Sequence, residues 1–202
     1  MSDGSSDRAL IPILNWALRR HGFGGALEPQ WADLRGLRHP PTDLASRLLK
    51  SRELYPCELL FVHRDAETPE LAPRAEEISA AAQEIALEIP FVRVIPIRMM
   101  EAWLLTDERA IRTAATNPNG SEHLDLPGIG QIEGIARPKL LLFELLREAS
   151  GLGTHRKRTL RVHKLVHRIA ELTDSFALLE GLPAFATFSE ELRQRMMEAG
   201  LT

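Results

Sequence analysis

Acidic side chains follow both of the short apolar runs in this chain that are typical of buried strands. Asp65 and Glu67 come directly after the run at residues 58–63, and Glu101 follows the run at residues 91–97. Because the carboxyl ends of parallel strands lie at one edge of a sheet, acids from two such strands can converge there. Convergent carboxylates suit Mg²⁺ or Mn²⁺, and such ions activate water and stabilise a phosphoryl transition state.

Two further acids, Asp3 and Asp7, lie at the start of the first predicted helix and could join this edge. All of these acids also have ordinary structural interpretations, as solvated loop residues or as helix-start acids that favour the helix dipole. For Glu101 the structural alternative is a helix cap or an ion pair with Arg98 or Arg109. The sequence therefore predicts a candidate metal-binding edge and leaves the convergence of its acids open.

A second chemical feature is a basic segment in the last third of the chain. Residues 155–168 hold six Lys or Arg and no acid: Arg156, Lys157, Arg158, Arg161, Lys164 and Arg168. A basic helix of this kind can follow the phosphates of a nucleic acid, with an affinity that falls as salt rises. The same segment also suits an acidic protein partner or a plain solvated face. Lys139 is a further candidate phosphate ligand, or a helix-start lysine with no such role.

Two histidines in the basic segment have the spacing of a metal half-site. His163 and His167 are four residues apart, so on one helix they would share a face that could bind Zn²⁺. The neighbouring cations disfavour a metal there, and no Glu follows His163 to complete a His-Glu-x-x-His pattern. A zinc site is therefore not expected.

Composition limits the classes of function. The chain has 202 residues and a formal net charge of −3, so nucleic-acid binding would need a local basic patch. The one cysteine, Cys57, excludes an internal disulfide and fits a reducing cytoplasm. No apolar stretch approaches the roughly 18–20 residues of a membrane span, and the first residues lack the features of a signal peptide. We therefore expect a cytoplasmic globular protein with no membrane partner.

Apolar spacing and breaker residues predict the elements that position these groups. Strands are predicted at residues 58–63 and 91–97, a loop with aromatic anchors at 176–188, and helices at 8–20, 42–53, 74–88, 99–111, 138–150, 159–172 and 189–199. The alternation of strand and helix implies a parallel α/β sheet. We expect an α/β domain over residues 1–135, with helices flanking a mostly parallel sheet, and a helical C-terminal part over residues 136–202 packed on it.

Three acidic segments resemble motifs of the Toprim domains in OLD-type nucleases. Residues 3–7, Asp-Gly-x-x-Asp, resemble the Glu-Gly-x-x-Asp segment that opens these domains, and residues 60–67 resemble a strand that ends in Asp-x-Asp. Residues 101–107, Glu-x-Trp-Leu-x-x-Asp, are similar to a segment of a small Toprim-like family that is often encoded beside ABC- or AAA-type ATPases in bacterial defence loci. Segments at residues 137–139 and 182–188 also resemble that family, so the likeness spans almost the whole chain.

The resemblance implies a Toprim-like fold and a metal-dependent nuclease that acts on DNA or RNA as the effector of an ATPase-linked defence system. It implies Asp65 and Glu67 as ligands of Mg²⁺ or Mn²⁺, Asp3 as a further ligand or general base, and Glu101 as an extension of the catalytic site. Asp3 stands where the family has Glu, and Glu67 stands where it has Asp. Two other hypotheses stay open, namely an inactive adaptor or sensor subunit that binds the ATPase, and phosphoryl transfer on small molecules. Homo-oligomerisation also stays open.

Overall fold

A two-stranded parallel sheet positions the acidic segments. The protein is described by a computed structural model over residues 1, 2, 4 and 6–201. Strand β1 (Leu60–His63) pairs in parallel with β2 (Phe91–Val94), with Leu60 opposite Phe91. Both strands lie where the sequence predicts them, and their parallel pairing is confirmed, although each is shorter than predicted.

Main-chain pairing continues past the ends of both strands. The N–H of Ala66 donates to the carbonyl of Pro96, and the N–H of Glu67 donates to the carbonyl of Arg98, both at 3.0 Å. Glu67 and Arg98 have φ angles of +60° and +63°, a left-handed conformation that is uncommon for residues other than glycine. The loop that carries Asp65 and Glu67 is therefore held against the loop that follows β2.

Helices make up most of the remaining chain. The described residues form α1 (Leu10–Arg20), α2 (Leu44–Leu54), α3 (Ala72–Glu84), α4 (Glu108–Ala114), α5 (Pro138–Ala149), α6 (Thr154–Thr159), α7 (Val166–Leu172) and α8 (Pro183–Glu198). Short 3₁₀ turns lie at Ser6–Ala9, Met100–Leu104, Ile129–Gly134, Val162–Lys164 and Ala177–Gly181. The fold is α/β, with more than half of the chain helical around a small parallel sheet. Within the described part, none of the helices has the length and apolar character needed to cross a bilayer.

Helix α3 ends before its predicted end at residue 88. The N–H of Leu87 donates to the carbonyl of Ala82 (2.9 Å), and the N–H of Ala86 donates to that of Gln83 (3.0 Å). These two bonds form a Schellman motif, in which the residue after the helix adopts a left-handed conformation. Ala86 does so with a φ of +45°. Because glycine is the usual residue at such a position, nothing in the sequence marks this helix end.

The helix predicted over residues 99–111 is divided into two elements. The chain forms a 3₁₀ turn at Met100–Leu104, and α4 then begins after Asp107. The Asp107 carboxylate accepts a hydrogen bond from the N–H of Ala110 at 2.9 Å, which caps the new helix. Asp107 therefore has a clear structural role as a helix cap.

The prediction of one basic helix over residues 159–172 is wrong. Helix α6 ends at Thr159, a 3₁₀ turn follows at Val162–Lys164, and α7 begins at Val166. None of the residues of α6 is buried, whereas Val162, Val166 and Ile169 all lie in the core. A single straight helix is replaced by a bent path because only the second part of this segment has an apolar face to pack.

The prediction of a loop over residues 176–188 is also wrong. A 3₁₀ turn forms at Ala177–Gly181, and α8 begins at Pro183. Proline is favoured at the first position of a helix because its φ is already helical and its missing N–H is not needed there. The next N–H, that of Ala184, donates to the carboxylate of Glu133 at 2.9 Å. The aromatic anchors Phe185 and Phe188 thus belong to the first turns of α8.

The larger of two apolar clusters joins the α/β region to the C-terminal helices. It contains Val92 and Val94 of β2 together with residues of α1, α4, α5, α7 and α8. Trp103, Phe185 and Phe188 form its aromatic centre, with ring centroids 5.1, 5.3 and 5.9 Å apart. A smaller cluster packs β1 against α2 and α3. The end of β1 therefore lies between two packed layers, which hold the candidate site in place.

Candidate functional site

Two acids from separate segments meet one buried histidine at the end of β1. His63 is the last residue of this strand and is only 4% exposed. Its Nδ1 lies 3.4 Å from Oδ2 of Asp7, and its Nε2 lies 3.3 Å from Oδ1 of Asp65. These are ion-pair distances, and neither contact has the angles of a hydrogen bond. The structure thus brings Asp7 and Asp65 together around His63.

The two carboxylates determine the charge of His63. Burial lowers the pKa of His63, because the charged imidazolium loses its hydration. Asp65 and Asp7 act in the opposite direction and prevail, which raises the pKa of His63 to about 9. His63 is therefore protonated at neutral pH. In this protonated form His63 is a positive charge between two acids.

Neighbouring segments fix the position of Asp65. The N–H of Met100 donates to Oδ1 of Asp65 at 2.8 Å. The Nε of Arg74, on α3, donates to the Asp65 carbonyl oxygen at 3.1 Å. The side chain of Asp65 is 26% exposed, so its carboxylate is held by the fold and still reachable from solvent.

The first residues of the chain are attached to the same strand. The N–H of Gly4 donates to Oδ2 of Asp7 at 2.8 Å. The nitrogen of Met1 donates to the carbonyl of Phe61 (2.7 Å), and the N–H of His63 donates to the carbonyl of Met1 (2.9 Å). These contacts place the segment that carries Asp7 along β1, on the side opposite to β2.

The predicted ligand Glu67 is turned toward α3. Its Oε2 accepts a hydrogen bond from Nη2 of Arg74 at 2.9 Å, and its side chain is 71% exposed. Arg74 also pairs with Glu77, one turn further along α3, at 2.6 Å. Arg74 therefore joins the loop after β1 to α3 through one guanidinium, and Glu67 is engaged there.

Glu101 and Lys139, two predicted site residues, form an ion pair with each other. Glu101 is 2% exposed, and its Oε1 lies 2.9 Å from Nζ of Lys139 at the start of α5. The Lys139 side chain is 37% exposed. Arg109, one of the partners considered for Glu101, pairs instead with Asp174. The buried carboxylate thus holds the lysine with part of its side chain facing solvent.

The carboxylates at this edge are the type of ligand that Mg²⁺ and Mn²⁺ prefer. Among residues 1, 2, 4 and 6–201, no group of three or more His, Cys, Asp or Glu side chains is arranged to hold a metal. Asp3, the remaining predicted ligand, lies outside these residues. Mg²⁺ often takes only one or two protein carboxylates, while water and substrate phosphate complete its shell. Asp65 is a suitable ligand of this kind, whereas Glu67 in its present position is engaged with Arg74.

The basic segment forms an exposed cationic surface. We call its six Lys and Arg side chains the basic surface: Arg156, Lys157, Arg158, Arg161, Lys164 and Arg168. Five of them are exposed and Lys157 is partly exposed. As far as the chain is described, none of the six side chains forms an ion pair or a hydrogen bond with another residue. The basic surface therefore keeps its charge available for an anionic partner.

The two histidines of the basic segment do not lie in one helix. His163 is in the 3₁₀ turn at Val162–Lys164, whereas His167 is in α7. The break between these elements removes the regular spacing on which a shared helix face depends. Within the described residues no metal-ligand group is found at this place.

His63 is the residue at this site that the sequence-based prediction did not select. The sequence feature that could have identified His63 is its position, because it ends a buried apolar run and comes two residues before Asp65. A histidine within such a run is usually a packed core residue, so the sequence by itself did not assign it a charge. The position of Asp7 beside it, which depends on the path of the first residues, decides that charge.

Comparisons with models of known families, with curated protein sequences and with solved structures found no match for this chain.

Proposed function

We propose that this chain hydrolyses phosphodiester bonds of DNA or RNA with Mg²⁺ or Mn²⁺ bound at the end of β1. The observation that carries the proposal is the meeting of Asp7 and Asp65 around His63 at the carboxyl end of a parallel strand. This edge is where open α/β sheets place their ligands. The fixed orientation of Asp65 supports a catalytic role, because a catalytic carboxylate has to be held in place by its surroundings.

The residues at this edge have complementary roles in the proposal. Asp65, with Asp3 as the second candidate ligand, would hold the cation, which supplies an activated water and charge stabilisation when bound. The imidazolium of His63 keeps Asp7 and Asp65 in place. Lys139, which is held by Glu101 and has a partly exposed side chain, would contact a substrate phosphate.

The basic surface would bind the nucleic-acid backbone away from the cleavage edge. Its free cations match the requirement for phosphate contacts, which neutralise charge and release counterions. The resemblance to Toprim-like proteins adds that the chain would act in the cytoplasm, beside an ABC- or AAA-type ATPase, in bacterial defence. That partner is part of the proposal and rests on the resemblance alone.

A cleavage assay with a matched control tests the catalytic part. Supercoiled DNA and single-stranded RNA are incubated with the protein in Mg²⁺, Mn²⁺ or EDTA, with and without the neighbouring ATPase. Asp65→Asn should lower the cleavage rate at least 100-fold, because it removes the anionic ligand and keeps the shape of the side chain. Glu70→Gln, on an exposed loop residue, should leave the rate within twofold of the parent. Equal rates for both variants would exclude the proposed site.

Salt dependence tests the basic surface. Arg158→Gln with Arg161→Gln should weaken nucleic-acid binding and lower the slope of log K against log salt by about 1.5, since each lost phosphate contact removes roughly 0.7–0.9. The matched control changes Arg38 and Arg52, which lie outside the basic surface, to Gln. Fluorescence anisotropy with a labelled 20-nucleotide strand from 50 to 300 mM salt measures both variants. An unchanged slope in the first variant would contradict this interface.

A second candidate function is a non-catalytic adaptor or sensor subunit for the ATPase. One specific observation favours it: the described acids of the edge face cations, with Glu67 against Arg74 and Glu101 against Lys139. Each of these two ion pairs compensates the charge of its acid without a metal. Isothermal titration with Mn²⁺ separates the two functions, because an adaptor would bind the ATPase without binding Mn²⁺ and without cleaving nucleic acid.

A further inference from the structure

Helix α6 (Thr154–Thr159) stands out from the body of the protein. None of residues 151–161 is buried, whereas Ala149 before them and Val162 after them are at most 3% exposed. Both ends of the segment are thus attached to the core, and α6 itself contributes nothing to that core. A helix this short has little stability of its own without a packed face, so a partner that encloses α6 would stabilise it.

The cations of α6 lie on several sides of the helix. Arg156, Lys157 and Arg158 are consecutive, and each helical residue is rotated by about 100° from the one before, so the three side chains extend over about 200° of the circumference. Within residues 1, 2, 4 and 6–201, none of the three side chains forms an ion pair or a hydrogen bond. A flat anionic surface contacts only part of such an arc, whereas a groove with phosphates on both walls contacts all of it.

The exposure of these residues shows how α6 is turned. Lys157 is only partly exposed, whereas Arg156 and Arg158 are exposed, so Lys157 lies on the side that faces the protein. His155 and Thr159 are two residues away from Lys157 in either direction, which places them about 160° from it, on the outer side. The Thr159 hydroxyl donates to the carbonyl of Arg156 at 3.1 Å. The outer side of α6 is therefore formed by His155 and Thr159, with one arginine on each flank.

We propose that α6 binds in the major groove of B-form DNA. This inference rests on the proposed function and names double-stranded DNA as the nucleic acid that the basic surface binds. An α-helix with its side chains has a diameter of about 10–12 Å, and the major groove is about 12 Å wide. Arg156 and Arg158 would contact phosphates of the two strands that border the groove. His155 would face the base edges, whose donors and acceptors an imidazole can contact.

Other nucleic acids fit this arrangement less well. The major groove of A-form RNA is deep and too narrow for side chains to read. Proteins that bind single strands usually stack the bases on aromatic side chains, and residues 151–168 contain no Phe, Tyr or Trp. A B-form duplex is therefore the partner that matches both the shape and the composition of the segment. The remaining cations of the basic surface, Arg161, Lys164 and Arg168, would contact phosphates next to the groove.

Blocking the major groove tests this inference. Binding of the parent chain is measured by fluorescence anisotropy in EDTA with a labelled, cytosine-rich duplex of 20 base pairs. A second duplex of the same sequence carries glucosylated 5-hydroxymethylcytosine at every cytosine, which fills the major groove and leaves the minor groove and the net charge unchanged. The parent should bind the blocked duplex about tenfold or more weakly, because α6 and its phosphate contacts are excluded. Double-stranded RNA and single-stranded DNA of the same sequence should also bind more weakly.

Two matched double variants show which cations enter the groove. Arg156→Gln with Arg158→Gln removes two charges from α6, and Arg161→Gln with Lys164→Gln removes two charges from the rest of the basic surface. All four side chains are exposed, so neither variant disturbs the core. Both should weaken binding to the open duplex, because each loses two phosphate contacts. Only the α6 variant should then bind the open and the blocked duplex with similar affinity, whereas the other variant should keep the preference of the parent.

The outcomes separate this inference from the proposed activity. Equal affinity of the parent for the open and the blocked duplex would overturn it, as would tighter binding of single-stranded DNA or double-stranded RNA. A preference for the open groove that survives in the α6 variant would also overturn it. All of these measurements are made without a divalent cation. A chain that prefers the open groove but does not cleave in Mg²⁺ or Mn²⁺ would therefore support the inference and contradict only the nuclease activity.

Discussion

At the residue scale, the acidic side chains at the end of β1 lie against positively charged side chains. Asp7 and Asp65 face His63, and Arg74 joins the main chain of Asp65 to the side chain of Glu67. The contact of Asp7 with His63 links residues that are distant in the sequence, and Arg74 links the loop after β1 to α3. The charge of one residue therefore depends on the folding of several others, and its titration reports on the whole edge.

Because the pKa of His63 is raised in the folded state, the free energy of unfolding depends on pH. The folded-state pKa of about 9 lies above the ordinary value of 6.5, so protonation favours the folded state. This contribution is fully present below pH 6.5 and is lost as pH rises through about 9. A shift of this size corresponds to a few kcal/mol, on the order of 3. His63→Gln should therefore lower the free energy of unfolding at pH 6 much more than at pH 10.

Urea unfolding in EDTA at pH 6, 8 and 10 measures this dependence. The control is His39→Gln, at an exposed position of the loop before α2, which should leave the pH dependence as in the parent. Equal destabilisation by His63→Gln at all three pH values would mean that the histidine acts through packing and not through its charge.

At the element scale, the ends of the helices depend on single residues. Helix α4 begins where Asp107 caps it, and α8 begins at Pro183 with Glu133 accepting from Ala184. Helix α3 ends at a Schellman motif built on Ala86. The first two ends have favourable residues, whereas the third places alanine in a conformation that favours glycine.

Replacing Ala86 tests this helix end. Ala86→Gly should stabilise the protein by up to about 1 kcal/mol, because glycine adopts a positive φ without strain from a β-carbon. Ala80→Gly, within α3, is the matched control and should destabilise by roughly 0.5–1 kcal/mol. Chemical denaturation followed by circular dichroism measures both changes. A loss of stability in Ala86→Gly would contradict the left-handed helix end.

At the scale of the whole molecule, one aromatic cluster connects the two parts of the chain. Trp103 follows β2, whereas Phe185 and Phe188 belong to α8, and all three are at most 2% exposed. The shared core means that the sheet loses packing surface when the C-terminal helices unfold. We therefore expect the described part of the chain to unfold in one cooperative transition.

Phe185→Ala tests this coupling. Loss of a fully buried phenyl ring should lower the free energy of unfolding by about 3–5 kcal/mol, through lost burial and a residual cavity. Tryptophan fluorescence and far-ultraviolet circular dichroism should still show coincident transitions in urea. Leu178→Ala, at a position that is 60% exposed, should change stability by less than about 0.5 kcal/mol. Two separate transitions in the parent protein would show that the parts fold independently.

The sequence alone determined the features that depend on local patterns. Apolar runs and breaker residues predicted β1 and β2, and apolar spacing predicted the positions of α1, α2 and α5, because burial of one face follows directly from residue order. The acids after the strands and the basic segment were also visible from the sequence. Their exposure and charge follow from residue type, so the basic surface needed little tertiary information.

Tertiary structure alone decided which charges meet. Asp7 reaches His63 because Met1 lies along β1, Glu67 turns to Arg74 of α3, and Glu101 is buried against Lys139 of α5. The bend after α6 and the early start of α8 likewise follow from which side chains find space in the core. These choices depend on contacts between distant segments, whose free energy is set by burial and electrostatics in the assembled fold and leaves no local pattern.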